Sequence, residues 1–277
     1  MSLPAAAALL LLLTVPLATF ALYSVLTAGL FSVSGPLTLE NYRAALGSSL
    51  NHTLATNSLV VGVATALISL ALGLPIAYWL RFAAGRWQQF VLFLVVASMF
   101  ASYLVRIYAW RTILGDNGVI NRALEGLGLT SQPLGFLIFS RAAVVIALVH
   151  ILLPYVILVL FAGFRPMPVA ILESAQDLGA NSLTRWRRII LPLMAAPAVT
   201  AFLFVFVLSA GDYVTPQFLG GTRGSMLGVQ VQASFIEAGN WPLGAATGFV
   251  MLTGFLLCYG LALFALRLTR LDRVRWS

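Results

Sequence analysis

The sequence predicts an all-α membrane protein with six transmembrane helices, and three observations support this fold class. Hydrophobic residues make up 61% of the 277 residues and charged residues only 9%, with a mean hydropathy of +0.98. The apolar residues form long blocks, whereas a soluble domain alternates them with polar residues. Most of these blocks approach the roughly 20 residues that a helix needs to cross the hydrocarbon core. We therefore expect a single membrane domain over residues 1–277.

Six apolar blocks are the predicted spans. They cover Leu3–Phe31, Leu54–Leu80, Phe90–Val105, Ala142–Phe164, Pro192–Gly211 and Leu243–Leu266. The first block lacks a basic start and its apolar run is too long for a signal peptide, so we expect a retained helix. Small residues let neighbouring spans approach closely, and we expect this at Gly62, Gly73, Gly248 and Gly254.

The arginines predict the orientation of these spans. With a cytoplasmic N-terminus, ten of the sixteen arginines lie in cytoplasmic segments and six in outer segments. Basic residues are enriched on the cytoplasmic side of membrane proteins, so both termini are expected there. This topology accounts for the net charge of +8, so the charge does not call for a nucleic-acid partner. The expected surroundings of the chain are membrane lipid.

Residue content excludes several kinds of chemistry. Every basic residue is Arg, which rules out a phosphate-binding loop of the GxxxxGK[ST] type and a Schiff-base lysine. A single cysteine, Cys258, excludes an internal disulfide and a cysteine-cluster metal site. The two histidines, His52 and His150, are far apart in sequence. We therefore expect no catalytic residues and no metal site.

The segment 166–192 predicts two short helices with a bend between them. Good helix formers fill Val169 to Leu178. Gly179 is placed to adopt the left-handed conformation that ends a helix. Asn181 or Ser182 then caps the second helix.

The first of these helices carries a mixed surface. Glu173 and Asp177 are four residues apart and therefore share a face. Apolar side chains stand beside them at Ile171, Leu172, Ala175 and Leu178. Because this loop lies outside the predicted spans, its apolar surface needs a protein partner.

This segment resembles the EAA motif of ABC importer permeases. The similarity consists of Glu173-Ser174-Ala175, then Gly179 after three residues, then the run Ile189–Pro192 after nine more; Ser174 replaces the middle alanine. The resemblance implies the type I ABC importer permease fold, in which this loop forms the coupling helix that seats in a groove of the ATPase. The alternative is an ordinary amphipathic cytoplasmic loop. The predicted coupling residues are Glu173, Ser174, Ala175, Asp177, Gly179, Leu191 and Pro192.

Four further segments resemble one branch of that family, the spermidine/putrescine-type permeases. They are residues 104–111, 114–121, 153–155 and 210–221. The branch implies a periplasmic solute-binding protein, a second and different permease, and an ATPase dimer that binds ATP and Mg²⁺, with no cofactor in this chain. It also implies an inner-membrane location. The expected solute is a polyamine; alternatives are an amino-acid derivative, an opine or a phosphonate.

Polar residues near the spans are the candidates for the solute path, since they are costly at membrane depth. A carboxylate at Asp212, beside Tyr213, would favour a cationic amine; the alternative is that Asp212 caps a periplasmic turn. Asp116 on the outer side would attract a cation. Tyr108 and Trp110 form a second cluster with two arginines.

The arginines of that cluster, Arg106 and Arg111, leave two interpretations open. They suit an anionic or zwitterionic solute better than a polyamine, or they anchor the third span at the headgroup level.

Two other protein classes fit less well. A secondary transporter would carry inverted repeats and coupling carboxylates, and a membrane enzyme would carry clustered ligands at membrane depth.

Overall fold

The computed structural model describes residues 3–29 and 33–268, and most of them are helical. The first half of the chain forms α1 (Leu3–Ser24), α2 (Glu40–Gly47), α3 (Ser49–Phe82), α4 (Gln88–Met99), α5 (Tyr103–Leu114), α6 (Val119–Gly126) and α7 (Arg141–Phe164). The second half forms α8 (Val169–Asp177), α9 (Ser182–Arg185), α10 (Leu191–Leu193), α11 (Ala195–Ala210), α12 (Val214–Leu219), α13 (Leu227–Ile236) and α14 (Trp241–Leu268). A 3₁₀ turn, Gly85–Trp87, precedes α4, and a π-helical turn, Trp186–Ile190, joins α9 to α10.

Three to five membrane spans are recognisable among the described residues, against the six predicted. By length and composition, α3, α7 and α14 each suffice alone. Two bent pairs, Gly85–Met99 with Tyr103–Gly126 and Ser182–Leu193 with Ala195–Ala210, raise the number to five. The first predicted span contains α1, which ends at Ser24 instead of continuing towards Phe31. Residues 30–32 lie outside the described residues.

The third predicted span is not one straight helix. It breaks between Met99 and Tyr103, and the two halves meet at 92°. Ser102 has an extended backbone (φ −55°, ψ 134°), which interrupts the helical hydrogen bonds. Beyond the break, Arg106 and Arg111 disfavour a straight continuation into hydrocarbon.

The fifth predicted span is bent as well. Its two parts meet at 67°, with Met194 (φ −89°, ψ 2°) at the break. Pro197 supplies the reason, because it has no N–H to donate to the Leu193 carbonyl and its ring clashes with that group. Bent and broken helices are tolerated in a membrane protein where neighbouring helices satisfy the freed backbone groups.

The core lies where α3 packs along α7 and α11 crosses both. Two of the predicted glycines permit close approaches between helices. A Cβ at Gly62 would lie 2.8 Å from the Cβ of Ala210, and one at Gly73 would lie 2.7 Å from Val156 Cγ1. The expectation is wrong for Gly248 and Gly254 within the described residues, since a Cβ there would have no neighbour within 4 Å.

The bundle has two distinct ends. At one end, which we call the α8 end, the last turns of α3 and α7 meet through the rings of Tyr78 and Phe164, 5.9 Å apart. At the other, the α12 end, the first turns of the same helices meet the segment after α12, where Asn57 Nδ2 donates to the Ser225 carbonyl at 2.8 Å. Because both helices contribute their starts to one end, α3 and α7 run in the same direction.

Candidate functional site

The loop at the α8 end has the local structure that its sequence predicts. The first helix, α8, ends at Asp177, and Gly179 adopts φ +81°. Asn181 caps the second helix, its Oδ1 accepting a hydrogen bond from the Thr184 N–H at 2.8 Å. The N–H of Ala180 also donates back to the Ala175 carbonyl at 2.9 Å, which closes the bend.

Buried apolar side chains attach this loop to the bundle. Met167, Leu172 and Ile190 are almost completely buried in the main core. Arg81 on α3 adds a hydrogen bond from Nη2 to the Met167 carbonyl at 3.3 Å. The sequence-based assignment of Leu172 to a partner-facing surface is therefore wrong, because this side chain points inward while its neighbours on α8 face solvent.

An aromatic cluster connects the loop to the two central helices. The ring of Trp186 lies 5.1 Å from that of Tyr78 on α3. Tyr78 in turn contacts Phe82 at 5.0 Å and Phe164 of α7 at 5.9 Å. Sequence reasoning missed this cluster, and the available signal was the recurrence of aromatic residues where the predicted spans end. These rings form a continuous set of contacts from the loop through α3 to α7.

The outer face of the loop combines acidic and apolar side chains. Glu173, Ser174, Asp177 and Gly179 are exposed, and Ala175 is partly buried. Leu178 is 88% exposed and Leu183 65% exposed. Leu191 and Pro192, the remaining predicted coupling residues, lie on α10 beyond the π-helical turn. Such exposed leucines beside carboxylates are typical of a surface that a protein partner covers.

Asp212 caps α12. Its carboxylate accepts hydrogen bonds from the N–H groups of Val214 and Thr215, both at 3.1 Å. The hydroxyl of Tyr103 on α5 donates to the same carboxylate at 2.9 Å and lies 2.8 Å from the Thr215 hydroxyl. This arrangement corresponds to the capping alternative considered for Asp212. Tyr103 was not singled out from the sequence, because it contacts Asp212 across 109 residues of chain.

The other predicted solute-path residues are only partly brought together. Tyr213 is exposed beside the cap, and Tyr108 packs against Phe218 of α12 with ring centroids 5.2 Å apart. The ring of Trp110 contacts the ring of His150 on α7, with the centroids 5.7 Å apart. Asp116 is exposed in the turn after α5 and belongs to neither group.

A cavity of about 630 Å³ lies at the break between α4 and α5. Helices α7 and α11 complete its wall, and it contains both charged and aromatic groups. Arg106 Nη2 donates to the Ala101 carbonyl at 3.0 Å, whereas Arg106 Nε is buried without a partner in the part of the chain that the structure describes. The residues lining the cavity are Met99, Ala101, Tyr103, Arg106, Leu148, Ile151, Leu152, Tyr155, Phe204 and Leu208.

Comparison with known proteins identifies the architecture. Residues 44–270 match the family of binding-protein-dependent transport system inner membrane components. The chain belongs to this family. It is thus a permease subunit of an ABC transporter, and its apolar helices are those of a multi-pass membrane protein.

The relatives of this permease include named transport proteins. The spermidine/putrescine transport system permease protein PotB of Haemophilus influenzae is 33% identical over 224 residues, covering 80% of this chain and 78% of that protein. PotB of Escherichia coli is 31% identical, covering 77% of each chain. The inner membrane ABC transporter permease protein YdcU of Escherichia coli is 31% identical, covering 78% of this chain and 72% of its own.

Solved structures agree on the fold. A chain of a bacterial ABC transporter that imports the acidic polysaccharide alginate aligns with a TM-score of 0.77 at 17% identity, over 100% of this chain and 95% of its own. The same transporter with an alginate-bound periplasmic protein gives a TM-score of 0.78. At this level of identity the likeness concerns the fold alone.

Proposed function

We propose that this permease lines the path of an ATP-driven importer and receives force from an ATPase through the α8–α9 loop. The observation that carries the proposal is the two-sided character of that loop. On its inner side Leu172 is buried in the main core and the Trp186 ring packs against Tyr78 of α3, while its outer side exposes Glu173, Asp177 and Leu178. A partner that moves this loop therefore moves the two central helices.

The remaining partners and the topology follow from the same proposal. ATP and Mg²⁺ bind to a separate ATPase dimer, since this chain has no lysine for a phosphate-binding loop. A second permease of different sequence completes the path, and a periplasmic solute-binding protein delivers the solute. The termini and the α8 end lie in the cytoplasm, in agreement with the arginine distribution, and the α12 end faces the periplasm.

Co-purification with the ATPase tests the docking surface. Glu173→Ala and Leu178→Asp are expected to lower the amount of bound ATPase at least about tenfold, because central interface residues dominate binding energy. Glu125→Ala is the matched control, since Glu125 is an equally exposed glutamate on α6, towards the α12 end. ATPase that stays fully bound to both loop variants contradicts the proposal.

Two classes of solute are candidates. Polyamines are the first, because the PotB relatives carry spermidine and putrescine in their names and cover most of this chain. An amino-acid derivative, an opine or a phosphonate is the second, and a specific observation favours it. The carboxylate expected to attract a cation, Asp212, is engaged in capping α12, while the charged group lining the cavity is Arg106.

A further inference from the structure

We infer that the cavity at the α4–α5 break is a solute-binding site in which Arg106 binds an anionic group of the solute, a carboxylate or a phosphonate. This inference rests on the proposed importer function and deepens it by choosing between the two solute classes. It concerns Arg106, for which the sequence left two interpretations open: a contact with the solute and an anchor at the headgroup level.

The depth of the cavity argues against a headgroup anchor. Its α7 lining runs from Leu148 to Tyr155. Counting from Arg141 at about 1.5 Å per residue, this stretch lies about 10 to 21 Å along the helix. The hydrocarbon core is about 30 Å thick, so the cavity is near mid-membrane depth. A charged side chain at that depth is costly and by default marks a substrate or ion pathway.

The hydrogen bonding of Arg106 leaves a place for an anion. A guanidinium has five N–H donors and no acceptor. One donor on Nη2 bonds the Ala101 carbonyl, which fixes the group in the helix break, and Nε is buried with no partner among residues 3–29 and 33–268. Among the described residues, the cavity lining contains no carboxylate. An anionic solute would accept hydrogen bonds from the remaining Nη donors of the guanidinium, and bidentate pairing with Arg favours carboxylate and phosphonate oxygens.

The backbone at the break also carries positive charge, as the Arg106 side chain does. Helix α5 begins beside the cavity at Tyr103, and its N-cap residue Ser102 makes no side-chain capping bond. The start of a helix carries partial positive charge. Interrupted helices in transporters direct such starts at the anionic groups of substrates. Arg106, one turn into α5, adds a full charge to this partial one.

The rest of the wall limits the shape of the solute. Tyr155 and Phe204 face each other with ring centroids 5.7 Å apart, and aliphatic side chains fill most of the remaining lining. A volume of about 630 Å³ is within the usual range of small-molecule pockets. The expected solute is therefore a small molecule with one anionic head and an aliphatic or aromatic body.

Charged thiol reagents measure this charge preference whatever the solute is. Leu208, on the cavity wall and 44% exposed, is replaced by cysteine in a Cys258→Ser background, in the assembled importer in proteoliposomes. Anionic sulfonatoethyl methanethiosulfonate is expected to react about tenfold faster than cationic trimethylammonioethyl methanethiosulfonate, after correction for their rates with a free thiol. Equal rates, a faster cationic reagent, or no reaction with either overturns the inference.

Arg106 variants assign the preference to this side chain. Arg106→Gln is expected to lower the anion-to-cation rate ratio about tenfold, whereas Arg106→Lys keeps most of it because the charge remains. Arg111→Gln, an exposed arginine on the same helix that does not line the cavity, is the matched control. An anion-to-cation rate ratio that is unchanged in Arg106→Gln contradicts the assignment. Both rates are measured on the same protein, so a general loss of folding does not produce the same change in their ratio.

Two solutes of similar chain length then separate the classes. Millimolar γ-aminobutyrate is expected to slow labelling of the Leu208→Cys protein, whereas putrescine, which has an ammonium in place of the carboxylate, is not. Protection by putrescine alone, or by neither compound, contradicts the inference. ATPase content measured in the same preparation reports on the proposed docking separately, so that the two proposals fail independently.

Discussion

The two ends of the bundle are held together by different forces. At the α8 end the loop is attached by apolar and aromatic contacts, above all those of Trp186, Tyr78 and Leu172. At the α12 end the connecting segments are held by hydrogen bonds to Asn57 and by the Asp212 cap. Burial of apolar surface is non-directional and tolerates small shifts, whereas a hydrogen bond fixes a geometry. Contacts that tolerate small shifts suit the α8 end in its proposed role of receiving force from an ATPase.

The largest expected effect is at the aromatic contact. Trp186→Ala should lower the free energy of unfolding by about 3 kcal/mol, because it removes a large ring packed against Tyr78. Thermal and denaturant unfolding of the solubilised permease measures this change. Trp186→Phe should lose less than half as much, since a ring remains. Equal losses in the two variants would mean that packing is not what holds this end.

A smaller effect is expected where hydrogen bonds hold the α12 end. Asn57 Nδ2 donates to the carbonyls of Arg223 and Ser225, at 3.3 and 2.8 Å, and the side chain is buried. Asn57→Ala should cost about 2 kcal/mol of stability, because two hydrogen bonds to partly buried groups are lost. Unfolding of the solubilised protein measures it, with Asn117→Ala, at an exposed asparagine after α5, as the control. A loss below that of the control would show that the segment is held by other contacts.

The α8 end and the cavity differ in how much of their structure was predictable. The loop was anticipated down to Gly179 and the Asn181 cap, since caps and left-handed glycines act within a few residues of chain. The cavity was not, because it combines residues of α4, α5, α7 and α11 that meet only in the folded bundle. Pro197 gave a local signal for one helix break. The break at Ser102 had none beyond the charges that follow it, and the inward orientation of Leu172 depends on its contacts with the core.

The loop itself is sensitive to backbone conformation at one position. Gly179 has φ +81°, which only glycine and, less readily, asparagine adopt. A Cβ there would meet no atom within 4 Å, so any loss comes from backbone strain and not from a clash. Gly179→Val should weaken ATPase binding about tenfold, that is by about 1.4 kcal/mol, as the angle between α8 and α9 changes.

Titration of the ATPase against the permease in nanodiscs measures that affinity. Gly179→Asn is the control and should stay within about threefold of the wild type, because asparagine tolerates the left-handed region. Loss of binding in the asparagine variant as great as in the valine variant would place the effect on the side chain and not on the backbone.

The smallest effect separates the two interpretations of Asp212. As a cap, Asp212 is replaceable by asparagine, which caps helices equally well, whereas alanine should cost about 1 kcal/mol. As a ligand of a cationic solute, it would lose function in Asp212→Asn, since the charge disappears while the shape is kept. Stability and solute uptake measured on both variants therefore give opposite patterns under the two interpretations.

We expect the capping pattern, in which Asp212→Asn retains both stability and uptake. The carboxylate already accepts bonds from Val214, Thr215 and Tyr103, so a solute would have to displace one of them. Tyr103→Phe should lower the free energy of unfolding by about 1 kcal/mol, as Asp212→Ala does. The double variant should lose less than the sum of the two single losses, because the two side chains share one hydrogen bond. An Asp212→Asn permease that is stable but transports nothing would favour a cationic solute. It would also mean that Asp212 at the α12 end, and not Arg106, selects the solute by charge.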